Sequence, residues 1–353
     1  FRRIRFETNR NFGPGCNAGA QAARGEHLFF LNNDTLLTPG WLEPLLQGLA
    51  GKVEAVGPLL LYPPSWGLLG ERVQHLGVCC QPSLHVRHLH EFFPASHPLA
   101  RKRRSLQFIT AAALLLRKSV FEQAGMFFEA YANGGEDLDL CVQIMRGGGS
   151  VACAPESRIY HLQGQTEGRC RGQGRNVEIF KERCQPFILP DLHLHLEADG
   201  YELALNDVLT PFARLPRRRF ELARKAFCRE GPAPGEEACR SMMEREPVFE
   251  PAYEGLAEIL EQADRLEELV QLRFLQSRLF PSLASGRRLR QAAQAAGDAD
   301  MALMGEDMVQ RREQMDEDGS LASEARETAR FARELGQPNL SRKYRQWLED
   351  EES

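Results

Sequence analysis

Hydrophobic and polar positions change their period partway along the chain. Up to about residue 165, short apolar runs alternate with helical patterns, which is how α/β layers read. Ile4–Phe6 reads as a strand remnant and Cys16–Arg24 as a short helix of small residues. His27–Leu31 is an apolar strand, and Pro39 opens a helix through about Leu49, because proline suits a helix's first turn. Val53–Leu61 is the next strand, and Phe108–Leu116 is the most strongly apolar one. Between them, residues 63–104 are rich in Pro, Gly and His and form an excursion from the sheet. A helix from near Asp137 stops at Gly147-Gly148-Gly149, and strands are expected at Val151–Cys153 and Arg158–His161.

After Pro190 the charge density rises and apolar residues take helical spacing. From Pro247 onward, Leu256, Leu260, Leu266, Leu269, Leu272 and Leu275 place apolar stripes on successive helices separated by Pro or Gly breaks. Pro251-Ala252-Tyr253 and Pro281-Ser282-Leu283 open similar stretches, and a third runs from Leu321 to Gly336. This resembles degenerate tetratricopeptide repeats, whose period is about 34 residues, though a plain helical bundle fits nearly as well. The expected organisation is therefore an α/β catalytic domain over 1–190, a helical linker region over 191–246 and a helical-repeat domain over 247–353. Residues 247–353 are expected to hold helices only, with neither a strand nor a metal site. Leu192-His193-Leu194-His195-Leu196 alternates and reads as an edge strand rather than a metal site.

Composition narrows the classes. The chain is 42% hydrophobic and 26% charged, ordinary globular material, and its net charge of −5 argues against a dedicated nucleic-acid binder. Nine cysteines without any C-x-x-C spacing read as reduced thiols in a cytoplasmic protein. The run Ile109–Leu116 is far shorter than the roughly 20 residues a membrane-spanning helix needs. Arg101-Lys102-Arg103-Arg104 and Arg217-Arg218-Arg219 are solvated runs before they are contacts for anionic lipid at the inner face of a membrane.

Four features carry chemistry, and their order matters more than any one alone. Asn11-x-Gly13-x-Gly15-x-Asn17-x-Gly19 is rich in residues that tolerate positive φ, so it fits either a tight turn or a loop whose N–H groups meet a phosphate or sugar. Phe29-Phe30-Leu31-Asn32-Asn33-Asp34 is an apolar strand delivering hard oxygen ligands at its end, suited to Mg²⁺ or Mn²⁺ on a diphosphate, or equally an Asx turn. In Gly134-Gly135-Glu136-Asp137-Leu138-Asp139, the helix dipole accounts for one or two of the three acids, and a general base accounts for the remainder. Ile159-Tyr160-His161 ends the last α/β strand, where a histidine following the other motifs suits a metal ligand. Arg169–Arg175 lies where a loop could close over a diphosphate.

In this order the motifs resemble family-2 glycosyltransferases of GT-A fold, closest to rhamnosyltransferase-like members that build bacterial surface polysaccharides. The likeness covers residues 1 to about 185, and it extends to Gln74-His75-Leu76-Gly77, to Thr110–Arg117, and to Val120-Phe121-Glu122 with Gly125. It implies a partial GT-A sheet, Rossmann-like and mixed, opening at Phe1 inside the domain and lacking the first nucleotide-binding half. It also implies roles. Asp34 with Asn32 takes the family's metal-binding Asp-x-Asp position, and His161 the late metal-ligand position. Asp137 takes the catalytic-base position with Glu136 beside it. Asn11, Gly13 and Asn17 face the donor, as do Asn32, Asn33 and Asp34. The implied activity is metal-dependent, inverting transfer from a nucleotide-sugar to a glycan, lipid-linked or protein acceptor, with the C-terminal helices recruiting a protein partner. The alternative is a scaffold with a degenerate transferase domain. Asn32, Phe128 and Ala111 depart from the family's usual Asp, Asp and Gly.

Overall fold

The computed structural model describes residues 2–83, 85–162, 173–230, 234–317 and 320–351. Its N-terminal half builds a seven-stranded mixed sheet. Helix α1 (Phe12–Ala22) leads into β1 (His27–Leu31) and β2 (Thr35–Leu37), and α2 (Leu42–Gly48) into β3 (Val53–Leu61). The excursion carries β4 (Val73–His75), β5 (Val78–Cys80), β6 (Val86–His88) and β7 (Ser105–Leu106). There follow β8 (Ala113–Arg117), α3 (Lys118–Gln123), α4 (Glu136–Arg146) and β9 (Ser150–His161). The main strand order is β1-β8-β3-β9-β2, with β4 on β3 and β7 on β9. Only β3 and β9 run parallel; the other pairs in the sheet are antiparallel. Each apolar run is buried where the sheet is covered on both faces, as in β8, whose Ala113 to Leu116 are at most 2% exposed.

Several sequence expectations are corrected here. Residues 4–6 form no strand, and Ile4 is exposed. The two strands expected around Ala154-Pro155 are one strand with a bulge. Pro58 and Leu59 pair with Ala154 and Arg158, so residues 155–157 loop out where Pro155 has no N–H for the ladder. Leu192–Ala198 is a helix rather than an edge strand: Leu192 and Leu196 bury one face, while Leu194 between them is 51% exposed. The 191–246 segment is not purely helical either, because it contains the hairpin β10 (Glu202–Leu205) and β11 (Pro211–Arg214). Asn206 folds that turn, its Oδ1 accepting from the N–H groups of Val208 and Thr210.

Helices fill the rest: α5 (Gln173–Cys184), α6 (Leu192–Ala198), α7 (Arg217–Phe227), α8 (Glu236–Arg245), α9 (Glu250–Gln262), α10 (Leu266–Leu279), α11 (Leu283–Ala296), α12 (Ala299–Glu317), α13 (Ser320–Glu334) and α14 (Pro338–Glu351). Among the described residues, 247–353 hold helices only. These helices are not a free-standing array. One apolar core runs continuously from Leu28 and Leu114 to Ala332 and Tyr344. Helix α10 docks on the excursion, where Gln271 Oε1 accepts from Leu68 N–H at 2.9 Å and Phe274 meets Phe92 edge-on. The chain's last helix returns to the hairpin, with Trp347 Nε1 donating to the Asn206 carbonyl.

The basic run at 101–104 is partly structural rather than solvated or lipid-facing. Asp199, buried at the start of the hairpin segment, gathers Lys102, Arg104 and His90 at 2.5–2.7 Å. Arg104 is itself buried. Among 217–219, Arg219 pairs with Glu246.

Candidate active site

The elements converge on one cavity of about 690 Å³, whose walls include Asn11, Asn32, Asn33, Asp34, Glu136, Asp137 and His161. Asp34 arrives from the turn after β1. That turn is held by Asn32 N–H donating to the Ala112 carbonyl and by Thr35 Oγ1 donating to the Asn32 carbonyl. His161 arrives at the end of β9, opposite Thr35 in the β2 ladder. Two separate strand ends thereby place Asp34 Oδ1 3.2 Å from His161 Nε2, with Asn32 Nδ2 3.4 Å from the same nitrogen.

The tautomer of neutral His161 follows from a neighbour that the motif reading gave no role. Gln74, buried on β4, donates from Nε2 to the His161 carbonyl at 3.0 Å. A carbonyl only accepts, so this bond fixes the Gln74 amide and leaves Oε1 facing His161 Nδ1 at 2.6 Å. Neutral His161 therefore donates from Nδ1 and presents the Nε2 lone pair to Asp34. Asp34 Oδ1 is buried and engages no hydrogen bond. In that tautomer a buried carboxylate oxygen and an unprotonated imidazole nitrogen stand 3.2 Å apart, an environment that a cation would relieve. Two ligands at about 2.0–2.2 Å and right angles around one ion lie about 3 Å apart, so the spacing of the pair matches that of two ligands of one Mg²⁺ or Mn²⁺. Gln74 was detectable in the sequence only as part of the Gln74-His75-Leu76-Gly77 run.

Three acids at the mouth of α4 have separate fates. Gly134 and Gly135 have φ of +140° and +101°, and a Cβ on Gly135 would stand 2.8 Å from the Tyr131 ring, so the approach to the helix requires glycine there. Asp139 turns inward, buried beneath Arg183 at 2.5 Å and Tyr131 at 3.2 Å. Glu136 is 4% exposed, lines the same cavity and accepts from Gly134 N–H at 2.6 Å, so its carboxylate secures the glycine turn. Asp137 lines the cavity as well. Its Oδ2 accepts from Ala111 N–H at 3.1 Å and its Oδ1 from Leu138 N–H at 3.0 Å, which aims the carboxylate across the cavity.

The glycine-asparagine run is corrected more sharply. Residues 12–22 are helix α1, not a loop at the donor. Asn11, at φ 67°, sits at the cavity wall just before the helix, whose first N–H, on Phe12, donates to Asn133 Oδ1. Gly13 is inside the helix, where an added Cβ would contact Phe127 at 3.5 Å. Asn17 is 3% exposed and clasps the Phe127 backbone, accepting from its N–H at 3.1 Å and donating to its carbonyl at 2.9 Å. Gly13 and Asn17 thus hold α1 against the 125–129 loop and do not reach the donor. Asn17→Ala is expected to leave the Phe127 N–H buried and unpaired. That costs about 1–3 kcal/mol in denaturant unfolding; a loss below about 0.5 kcal/mol would contradict the assignment.

The excursion supplies the opposite wall with His75, Arg87 and His88. His75 is buried, and burial with the nearby His88 and His161 holds its pKa well below the usual imidazole value, so it stays neutral. Its Nε2 accepts from Thr110 N–H and its Nδ1 faces His88 Nδ1 at 2.9 Å. Of the Arg169–Arg175 run, residues 169–172 lie outside the described residues, and Arg175 is in α5.

Residues 1–125 match the profile of Glycosyl transferase family 2. The chain is 35% identical over 160 residues to the O-antigen biosynthesis protein RfbC of Myxococcus xanthus, covering 43% of this chain and 12% of that protein. It is 26% identical over 168 residues to the putative inactive polypeptide N-acetylgalactosaminyltransferase 12 of Drosophila melanogaster, covering 45% and 28%. The chain therefore spans well under a third of either relative's length. The solved structure of GalNAc-T7 with UDP, GalNAc and Mn²⁺ aligns with a TM-score of 0.40 and 16% identity, over 52% of this chain and 36% of that one. The family 2 match ends at residue 125, before Asp137 and His161, so those two enter the site on geometry.

Proposed function

We propose that this protein transfers a sugar from a nucleotide-sugar to the hydroxyl of a glycan, lipid-linked or protein acceptor, with inversion at the anomeric carbon. The observation that carries the reading is the placement of Asp34, His161 and Asp137 around one cavity in a glycosyl transferase family 2 domain. Asp34 and His161, with Asn32, would hold a divalent cation, which would supply neutralising charge for the departing diphosphate. Asp137 accepts the proton of the acceptor hydroxyl as its oxygen attacks the anomeric carbon, and the bond to the diphosphate oxygen breaks on the opposite face. Ala111 N–H fixes the carboxylate for that task, and Glu136 and the glycine turn fix the helix that carries it.

Asn11 and Asn33 bind the donor from the cavity wall. His75, Arg87 and His88 face it from the excursion, the side left for the acceptor. The C-terminal helices brace that excursion through α10, so their first role is mechanical, and any partner docks on their outer faces. Free thiols at every described cysteine suit a cytoplasmic site of action. No described helix is long and apolar enough to cross a membrane.

The test is a panel of nucleotide-sugars offered with Mn²⁺, reading release of the nucleoside diphosphate. One donor class should be consumed in a cation-dependent reaction that chelation stops. The name of the Drosophila relative favours one other reading, an inactive scaffold. That reading expects no donor to be consumed, even where one binds.

A further inference from the structure

The alternating histidines at 193 and 195 acquire a different meaning once 192–198 is a helix. His195 then sits one turn after Asp191, its Nε2 3.4 Å from Asp191 Oδ2. Asp191 Oδ1 is held by Cys80 N–H at 2.8 Å, and Asp191 N–H donates to the Cys80 carbonyl at 3.1 Å. This two-way backbone clasp brings β5 against the start of α6 and sets Cys79 beside the acid. Among the described residues, the Cys79 sulfur, an Asp191 oxygen and a His195 nitrogen all lie within 4.8 Å of one another.

We propose that Cys79, Asp191 and His195 form a second metal site, selective for Zn²⁺ and separate from the catalytic cavity. The ligand chemistry argues for zinc. Thiolate, imidazole and carboxylate together are a borderline-soft set that disfavours Mg²⁺ and Mn²⁺. Tetrahedral zinc ligands at about 2.0–2.3 Å from the ion stand about 3.3–3.8 Å apart, so closure requires shifts of about 1 Å in side chains already gathered. Charge also balances, because one thiolate and one carboxylate neutralise the ion. The Cys79 proton leaves to water on binding, and no electron moves.

The surroundings favour this over a nucleophilic role. Cys79 is fully buried, so it cannot serve as a nucleophile toward a substrate. Burial pushes its pKa well above the usual value and the Asp191 charge adds to that, while Arg104 and Arg87 oppose it, so without an ion Cys79 is a neutral thiol. Neither arginine is bound to the cluster. Arg104 pairs with Asp199, and Arg87 donates to the Pro211 carbonyl. His195 and Asp191 are partly exposed, at 18% and 13%, which gives the ion an entry path and a water for the fourth position. Such an ion pins the β5–β6 hairpin, which carries Arg87 and His88 to the cavity, onto α6.

The test is Co²⁺ titration of the whole protein, followed by near-ultraviolet thiolate-to-cobalt charge-transfer absorption. Among the described residues the catalytic cavity offers Asp34, Asn32 and His161 but no thiol, so cobalt bound there gives no such band. One charge-transfer equivalent per chain is expected, competed by Zn²⁺ and not by Mg²⁺. The band should be lost in Cys79→Ser and retained in Cys80→Ser and Asp34→Ala. His195→Gln, a change at a partly exposed position, keeps the fold and is expected to weaken cobalt binding at least about tenfold. An absent band, one that survives Cys79→Ser, or unchanged affinity in His195→Gln overturns the proposal. None of these results depends on whether sugar transfer is detected.

Discussion

Asp137→Asn is expected to lower turnover by about 10²–10⁴-fold while changing donor affinity little, the range that removal of a general base produces. The substitution keeps the shape of the side chain and an oxygen for the Ala111 N–H, so the helix mouth should remain in place. What it removes is the capacity to accept a proton, an interaction made only in the transition state. Glu136→Gln provides the contrast. Glu136 is buried on the Gly134 N–H, so its loss should appear first as lowered stability, with any fall in turnover following from the loosened turn. If Asp137→Asn retains most of its turnover, Asp137 is a helix-dipole residue and the base lies elsewhere in the cavity.

Asp34→Ala is expected to cost about 10²-fold or more in turnover at a fixed, subsaturating Mn²⁺ concentration, because it removes the only charged ligand of the pair. His161→Ala should have a similar effect, and the double variant should lose little beyond either single one, since both act through the same ion. Raising Mn²⁺ should restore part of the activity of the single variants. Losses that multiply in the double variant, or that added Mn²⁺ leaves untouched, would indicate that the two residues shape the cavity without sharing an ion.

Much of this was legible in the sequence because the relevant signals are local. β3 spans the expected Val53–Leu61, and α4 begins one residue before the expected start at Asp137. Apolar runs bounded by glycine, and acids following a Gly-Gly pair, are written in consecutive residues. The position of His161 at a strand end was equally readable, and the ladder with β2 brings it to Asp34.

What failed depended on distant partners. Gly13 and Gly15 fell outside the helix expected from Cys16 because glycine is a poor helix former, yet Asn17 and the Phe127 backbone override that preference across more than a hundred residues. Leu192–Leu196 fits a strand by alternation and a helix by the i, i+4 pair of leucines, and burial of that pair decides for the helix. Gln74 lay inside a matching run, but its role in setting the His161 tautomer exists only once β4 lies against β9. The helical half was legible as helices. Its return onto the excursion and the hairpin was not, since the residues that make it, Gln271, Phe274 and Trp347, carry no local signature of a docking surface.

The most direct measurement of the central claim is anomalous X-ray scattering from crystals grown with Mn²⁺ and a nucleoside diphosphate. The account expects one manganese peak within about 2.0–2.6 Å of both Asp34 Oδ1 and His161 Nε2, with diphosphate oxygens completing its shell on the side facing Asp137. Manganese and diphosphate bound elsewhere, with the Asp34–His161 contact intact and empty, would contradict it.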